Sequence, residues 1–258
     1  MKLTEIKDLY VEELALLRRI GEYGKEQPTG KLDRVEKVSS LLLYRIYSNL
    51  YSSLLLTVQA LKKRNIAFFQ LPIGLILRCC FTDCLFALYI KKIGKDRATK
   101  ELDLKKKEYA NSLLERQEVY RDQVKSTSMG FDDELIGHMW ELTIEDNFLG
   151  LLTLDCNKEV LTVSKQTKRQ LLDEGFSNSK SVGSKDQKDF LIGLPEVGDV
   201  AMRLYHYYKY FSQYEHFSET GQGDVLASLK ENGNDNIHLP SAIRALSFGI
   251  DELIKIKP

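Results

Sequence analysis

From Val35 to Leu61 an apolar side chain returns at every third or fourth position: Val35, Val38, Leu42, Ile46, Leu50, Leu54, Val58 and Leu61. A strand cannot use that period, because its side chains alternate faces every second residue. A helix stacks such positions on one face. The spacing predicts one long helix over about residues 32–64. Leu41, Leu43, Tyr47, Tyr51 and Leu55 widen its apolar stripe, so packing on more than one side is expected. Asn65 is the residue expected to close it in a left-handed conformation.

The same period recurs along much of the chain. Ile6, Leu9, Tyr10, Leu14, Leu17 and Ile20 predict a helix over about 4–23, and Gln27-Pro28-Thr29-Gly30 breaks it. The most hydrophobic segment should form a central helix from near Pro72 to about Ile93, with Gly94 as its stop. Residues 96–125 read as a solvated helix with a narrow stripe, and Asp132 caps a short segment ending in Met139 and Trp140. Residues 148–163 are ambiguous, since FLGLLTLD and EVLTV fit short strands but no second strand pattern supports a sheet, and 166–172 read as helix. Residues 176–189, with SNSKSVGSK at their centre, read as a flexible loop. Pro195 is expected to open a helix running to about Ser218, and Ser241 to Ile254 should close the chain as a helix. The fold class is therefore all-α, a multi-helix bundle of about eight helices. No linker composition divides the chain, so 1–258 reads as a single domain, with a looser subdivision near 126–130.

Charge and cysteine content narrow the function classes. There are 37 Lys and Arg against 37 Asp and Glu, which excludes coating nucleic acid by bulk charge but not a local basic patch. The cluster Lys105-Lys106-Lys107 is flanked by Glu101, Asp103 and Glu108, so a solvated face is the better reading. The N-terminus carries an acid at Glu5 and no apolar run, so a secretory signal is not expected. Three of the four cysteines, Cys79, Cys80 and Cys84, share one apolar segment, and Cys156 stands apart. They read as reduced thiols in a cytosolic, cytoplasmic protein, with no metal set. Leu71–Ile90 has the length of a membrane span, but Arg78 and Asp83 in its middle favour a buried helix and no membrane.

No phosphate-binding glycine loop, HExxH or GxSxG is present. His138, His206, His216 and His238 are spread out. His206 and His216 lie about 80° apart on a helix and cannot share a metal. The informative element is 197–217. On it Tyr205, Lys209, Ser212 and His216 share one face, with Tyr208 at its border. Ser212 lies one turn before His216. The residue pattern fits a reactive hydroxyl-imidazole pair or a satisfied structural one. Arg78 and Asp83 are the second polar insertion. They point about 140° apart, so each needs a partner on another helix, and Asp83 with His216 is the natural pairing.

An apolar helix with Arg78 and the acid Asp83, then a helix reading Tyr208, Phe211, Ser212 and His216, resembles a group of bacterial all-helical proteins. Their fold is similar to HEPN domains, the bundles found in many toxin and phage-defence ribonucleases. The resemblance covers two helices. No histidine here follows an arginine at the short spacing those ribonucleases use. It implies a metal-independent ribonuclease with His216 as general acid/base and Asp83 orienting it, while Arg78 or Lys209 holds a phosphate and Tyr208 and Tyr205 border the substrate. An RNA hydroxyl would be the nucleophile, so no cofactor is required. RNA is the partner of that reading. A homodimer or a protein partner belongs to the alternative, a non-enzymatic binding or assembly protein with a buried Ser212/His216 network.

Overall fold

The computed structural model describes residues 3–26, 32–64, 67–105, 108, 181–215 and 239–255. Seven helices and no strand occur among them: α1 (Leu3–Glu26), α2 (Arg34–Lys63), α3 (Ala67–Lys92), α4 (residues 95–105), α5 (Ser184–Ile192), α6 (Gly198–Glu215) and α7 (Leu239–Lys255). The chain divides into two compact units. One is Met1–Thr99 with Val182–Pro258, and the other is Lys100–Ser181. In the second unit residue 181 returns to the start of the unit: Ser181 N–H donates to Glu108 at 2.6 Å, and Lys105 Nζ donates to Ser181 Oγ at 3.0 Å.

The first unit is built around α3, which packs against α2, α5, α6 and α7, while α1 lies against α2 and α7. Composition explains that position. Leu77, Cys80, Phe81, Cys84, Leu85, Ala87 and Leu88 of α3 are all fully buried, so nearly every side of the helix needs cover. The segment Phe69–Lys92 is long and apolar enough to cross a bilayer, yet 72% of its most apolar window is buried inside the protein, as in a core helix. At the crossing of α3, α6 and α7 the chains approach closely. A Cβ on Gly249 would lie 2.7 Å from Cys84 Sγ and 3.0 Å from Leu204 Cδ1 and Cδ2.

Several boundaries differ from the sequence expectation, each for a local reason. The helix α2 begins in a reciprocal capping box: Asp33 Oδ1 accepts from Glu36 N–H at 3.0 Å, and Asp33 N–H donates to Glu36 Oε2 at 2.8 Å. It ends at Arg64 rather than Asn65, with φ of 52° and its N–H turned back to the carbonyls of Ala60 and Leu61. Leu41, Tyr51 and Leu55 are half exposed rather than packed, so α2 buries one broad side only. The helix α3 starts at Ala67, five residues before Pro72. Proline so near the end removes a single backbone bond, and the extra turn buries Gln70.

Residues 184–189 belong to α5 and not to a loop. Gln187 and Leu191 are buried there, and Gln187 Nε2 donates to Val182 O at 2.7 Å. Pro195 lies in a turn, and α6 starts three residues later at Gly198, where a Cβ would meet Ile192 O at 2.9 Å. Near the same turn, where Lys92 pairs with Glu196 at 3.1 Å, Lys91 Nζ donates to Leu253 O at 3.3 Å, placing a cation at the negative end of α7. The segments about 109–180 and 216–238, including the helices, strands and loop expected there, lie outside the described residues.

Candidate functional site

Two stacked aromatic contacts fix α3 against α6. Phe81 lies 5.5 Å from the Tyr207 ring and 6.1 Å from the Phe211 ring, both at 17°. Arg78 precedes Phe81 by about one turn and therefore faces α6 as well. Its Nε donates to Ser212 Oγ at 3.2 Å, and its guanidinium carbon stands 5.7 Å from the Tyr208 ring centroid. Ser212 Oγ in turn donates to the Tyr208 carbonyl at 2.7 Å. Three of the residues singled out in the sequence, Arg78, Tyr208 and Ser212, thus form one contact across two helices. Ser212 is buried, and Arg78 is only half-buried, less than its apolar surroundings suggested.

The other candidates lie elsewhere or beyond the described residues. Tyr205 is 5.8 Å from the Tyr208 ring and carries Lys188 Nζ over its face at 5.0 Å, so it is turned toward α5. Lys209 is exposed. His216 lies outside the described residues, and with it the expected pairing with Asp83. Asp83 faces α2: Arg45 Nε is 3.3 Å from Asp83 Oδ2, an ion-pair distance at which no hydrogen bond closes on that oxygen. Burial drives the Asp83 carboxyl up from 3.8 to about 6, and the Arg45 charge pulls it back in part. The two charges in the middle of α3, Arg78 and Asp83, thus serve different neighbours, as their angular separation required.

Cys80 and Cys84 flank Asp83 on α3. Both are fully buried, and burial first, then the nearby Asp83 carboxylate, pushes their thiols well above the ordinary range. In that state they are inert packing groups. Among the described residues no three His, Cys, Asp or Glu side chains gather as a metal set.

A second polar cluster escaped the sequence reading. Glu13 of α1 is fully buried against α2, where Ser53 Oγ donates to Glu13 Oε1. Glu13 Oε2 and the Thr57 hydroxyl are buried with no hydrogen bond among the described residues. Desolvation raises the Glu13 carboxyl from 4.5 to about 7, against the lowering effect of the Ser53 hydrogen bond. The sequence held the signal: Glu13 stands four residues after Leu9 and four before Leu17, on the apolar face itself. Arg45 was missed because it lies beside the apolar stripe of α2, at a position indistinguishable from an ordinary solvated cation. No protein-family model, curated protein or solved structure matches this chain.

Proposed function

We propose that the chain is a HEPN-like helical protein that cleaves RNA without a metal, at the face of α6 that meets Arg78. The observation supporting this reading is the contact of Arg78 with Ser212 and Tyr208. It brings a half-buried guanidinium to the turn that directly precedes His216. In this reading Arg78 binds a phosphate oxygen and neutralises charge as it builds on the pentacoordinate phosphorus. Ser212 holds the guanidinium in place. His216 takes the proton of the ribose 2′-hydroxyl as that oxygen attacks phosphorus. The bond to the 5′-oxygen breaks, that oxygen leaves with a proton from water or a second acid, and a cyclic phosphate remains. Lys209, exposed one turn away, meets the backbone of the strand. Asp83, engaged with Arg45, has no step.

The test is cleavage of a labelled single-stranded RNA in excess chelator by the wild-type chain and by His216→Ala and Arg78→Ala. Loss of cleavage by about 10²-fold or more in His216→Ala, with an unchanged circular dichroism spectrum, supports the reading. Absence of cleavage by the wild-type chain, or full activity in His216→Ala, refutes it. One observation favours the binding or assembly reading instead. Ser212 is engaged on both sides, as acceptor from Arg78 and donor to Tyr208, as in a satisfied structural network. Under that reading Arg78→Ala lowers the melting temperature and there is no cleavage to lose.

A further inference from the structure

The face of α6 turned away from Arg78 forms a separate concavity with α7. Arg203, His206, Tyr207, Ser241, Arg244 and Phe248 line a cavity of about 510 Å³, within the range of small-molecule sites. We propose that this cleft binds a phosphate monoester carried on a planar ring, of which a mononucleotide is the simplest example. The proposal does not depend on RNA cleavage at the Arg78 face.

The donors argue for phosphate. Two guanidinium groups approach the cleft from different helices. Arg244 is fixed by Glu12 of α1, whose Oε1 lies 2.7 Å from Arg244 Nε. Arg203 makes no ion pair among the described residues, and its guanidinium carbon rests 5.7 Å from the Phe248 ring centroid. On the cleft wall burial raises the Tyr207 phenol, and the Ser241 hydroxyl and the Arg203 charge beside it draw it back in part. Ser241 is the third residue of α7, in the first turn, where backbone N–H groups have no partner inside the helix. His206 adds a further nitrogen at the exposed rim. Such a set, drawn from several directions, exceeds what the two oxygens of a carboxylate accept, and it suits the three terminal oxygens of a phosphate monoester. Glu12 and Asp8 offset part of the Arg244 charge, so Arg203 supplies most of the attraction.

The rings argue for a planar body. Phe248 is 50% exposed at the cleft, although an apolar ring of that size gains from cover. Tyr207 is held rigidly, stacked on Phe81 behind it and edge-on to His206 at 5.3 Å. A flat ring entering above the phosphate stacks on Phe248 and displaces water from it.

The experiment is calorimetric titration of the full chain at neutral pH and low salt with adenosine 5′-monophosphate, inorganic phosphate and adenosine. We expect saturable one-to-one binding of the nucleotide, with weaker binding of phosphate and of the nucleoside. Arg203→Gln should weaken nucleotide binding tenfold or more with no change in melting temperature, because the side chain is exposed. Phe248→Ala should weaken the nucleotide but not inorganic phosphate. No saturable binding of the nucleotide up to about 10 mM overturns the site, as does equal affinity in Arg203→Gln. Binding that survives Arg203→Gln but disappears in Arg78→Gln places the ligand on the opposite face of α6 and overturns it too.

Discussion

Replacing Glu13 by Gln tests the buried carboxyl between α1 and α2 with almost no change of shape. The carboxyl titrates near 7 in the folded chain and near 4.5 when unfolded, because burial disfavours its charged form. Between those values the folded chain keeps a proton that the unfolded chain has lost. The stability contributed by the neutral form is therefore complete below pH 4.5 and falls as pH rises through about 7. The loss is about 1.4 kcal/mol for each pH step, about 3 kcal/mol in all. Glutamine is neutral throughout and still accepts from Ser53. Guanidinium unfolding of both chains at pH 4.5, 6 and 8 gives the difference in stability at each pH, in which other titrating groups cancel. That difference should move toward the variant by about 3 kcal/mol between pH 4.5 and 8. A difference that stays constant across the range refutes the argument that Glu13 is desolvated in the folded state.

Asp83→Asn should raise the melting temperature at pH 8 but not at pH 4, since its carboxyl is also held up by burial; the partner Arg45 is 63% exposed and rehydrates freely. A clear loss of stability at pH 8 would show instead that the ion pair outweighs desolvation. Gly249→Ala should cost about 1–3 kcal/mol by thermal or chemical unfolding, and Cys84→Ala in the same chain should restore part of it by removing the sulfur that the new methyl meets. A neutral Gly249→Ala would mean that α7 shifts without penalty. A double-mutant cycle of Arg78→Ala and Ser212→Ala should give a coupling of about 1 kcal/mol, and additive effects would deny the contact.

The helices of the first unit were legible because burial follows period, and period is written in the sequence. Ile46 and Leu50, or Ile243, Leu246 and Ile250, occupy the core as their spacing required. Boundaries were less legible. Whether Pro72 starts a helix or sits inside one depends on what residues 67–71 gain by packing, and a sequence states no tertiary contacts. The SNSKSVGSK stretch was polar enough to pass for a loop, yet Leu191 and Gln187 anchor its last residues to a helix. At the candidate site, the same-face spacing of Tyr208 and Ser212 was readable, and so was the need of Arg78 for a partner outside α3. The choice of partners was not. Arg78 could have met any polar group on four neighbouring helices, and Asp83 took an arginine whose position on α2 gave no hint of it.

The division of the first unit into 1–99 and 182–258 bears on how the chain is made. A ribosome delivers α1, α2 and α3 first, then roughly eighty residues of the other unit before α5, α6 and α7 appear. At usual synthesis speeds that interval lasts roughly 4–16 s. During it, the flank of α3 that carries Phe81, Cys84 and Leu88 has no permanent cover. A nascent chain stalled near residue 180 should therefore be a chaperone substrate, while one extended past residue 258 and out of the exit tunnel should not. The most apolar helix of the molecule thus waits out the synthesis of the other unit before three of its four neighbours exist.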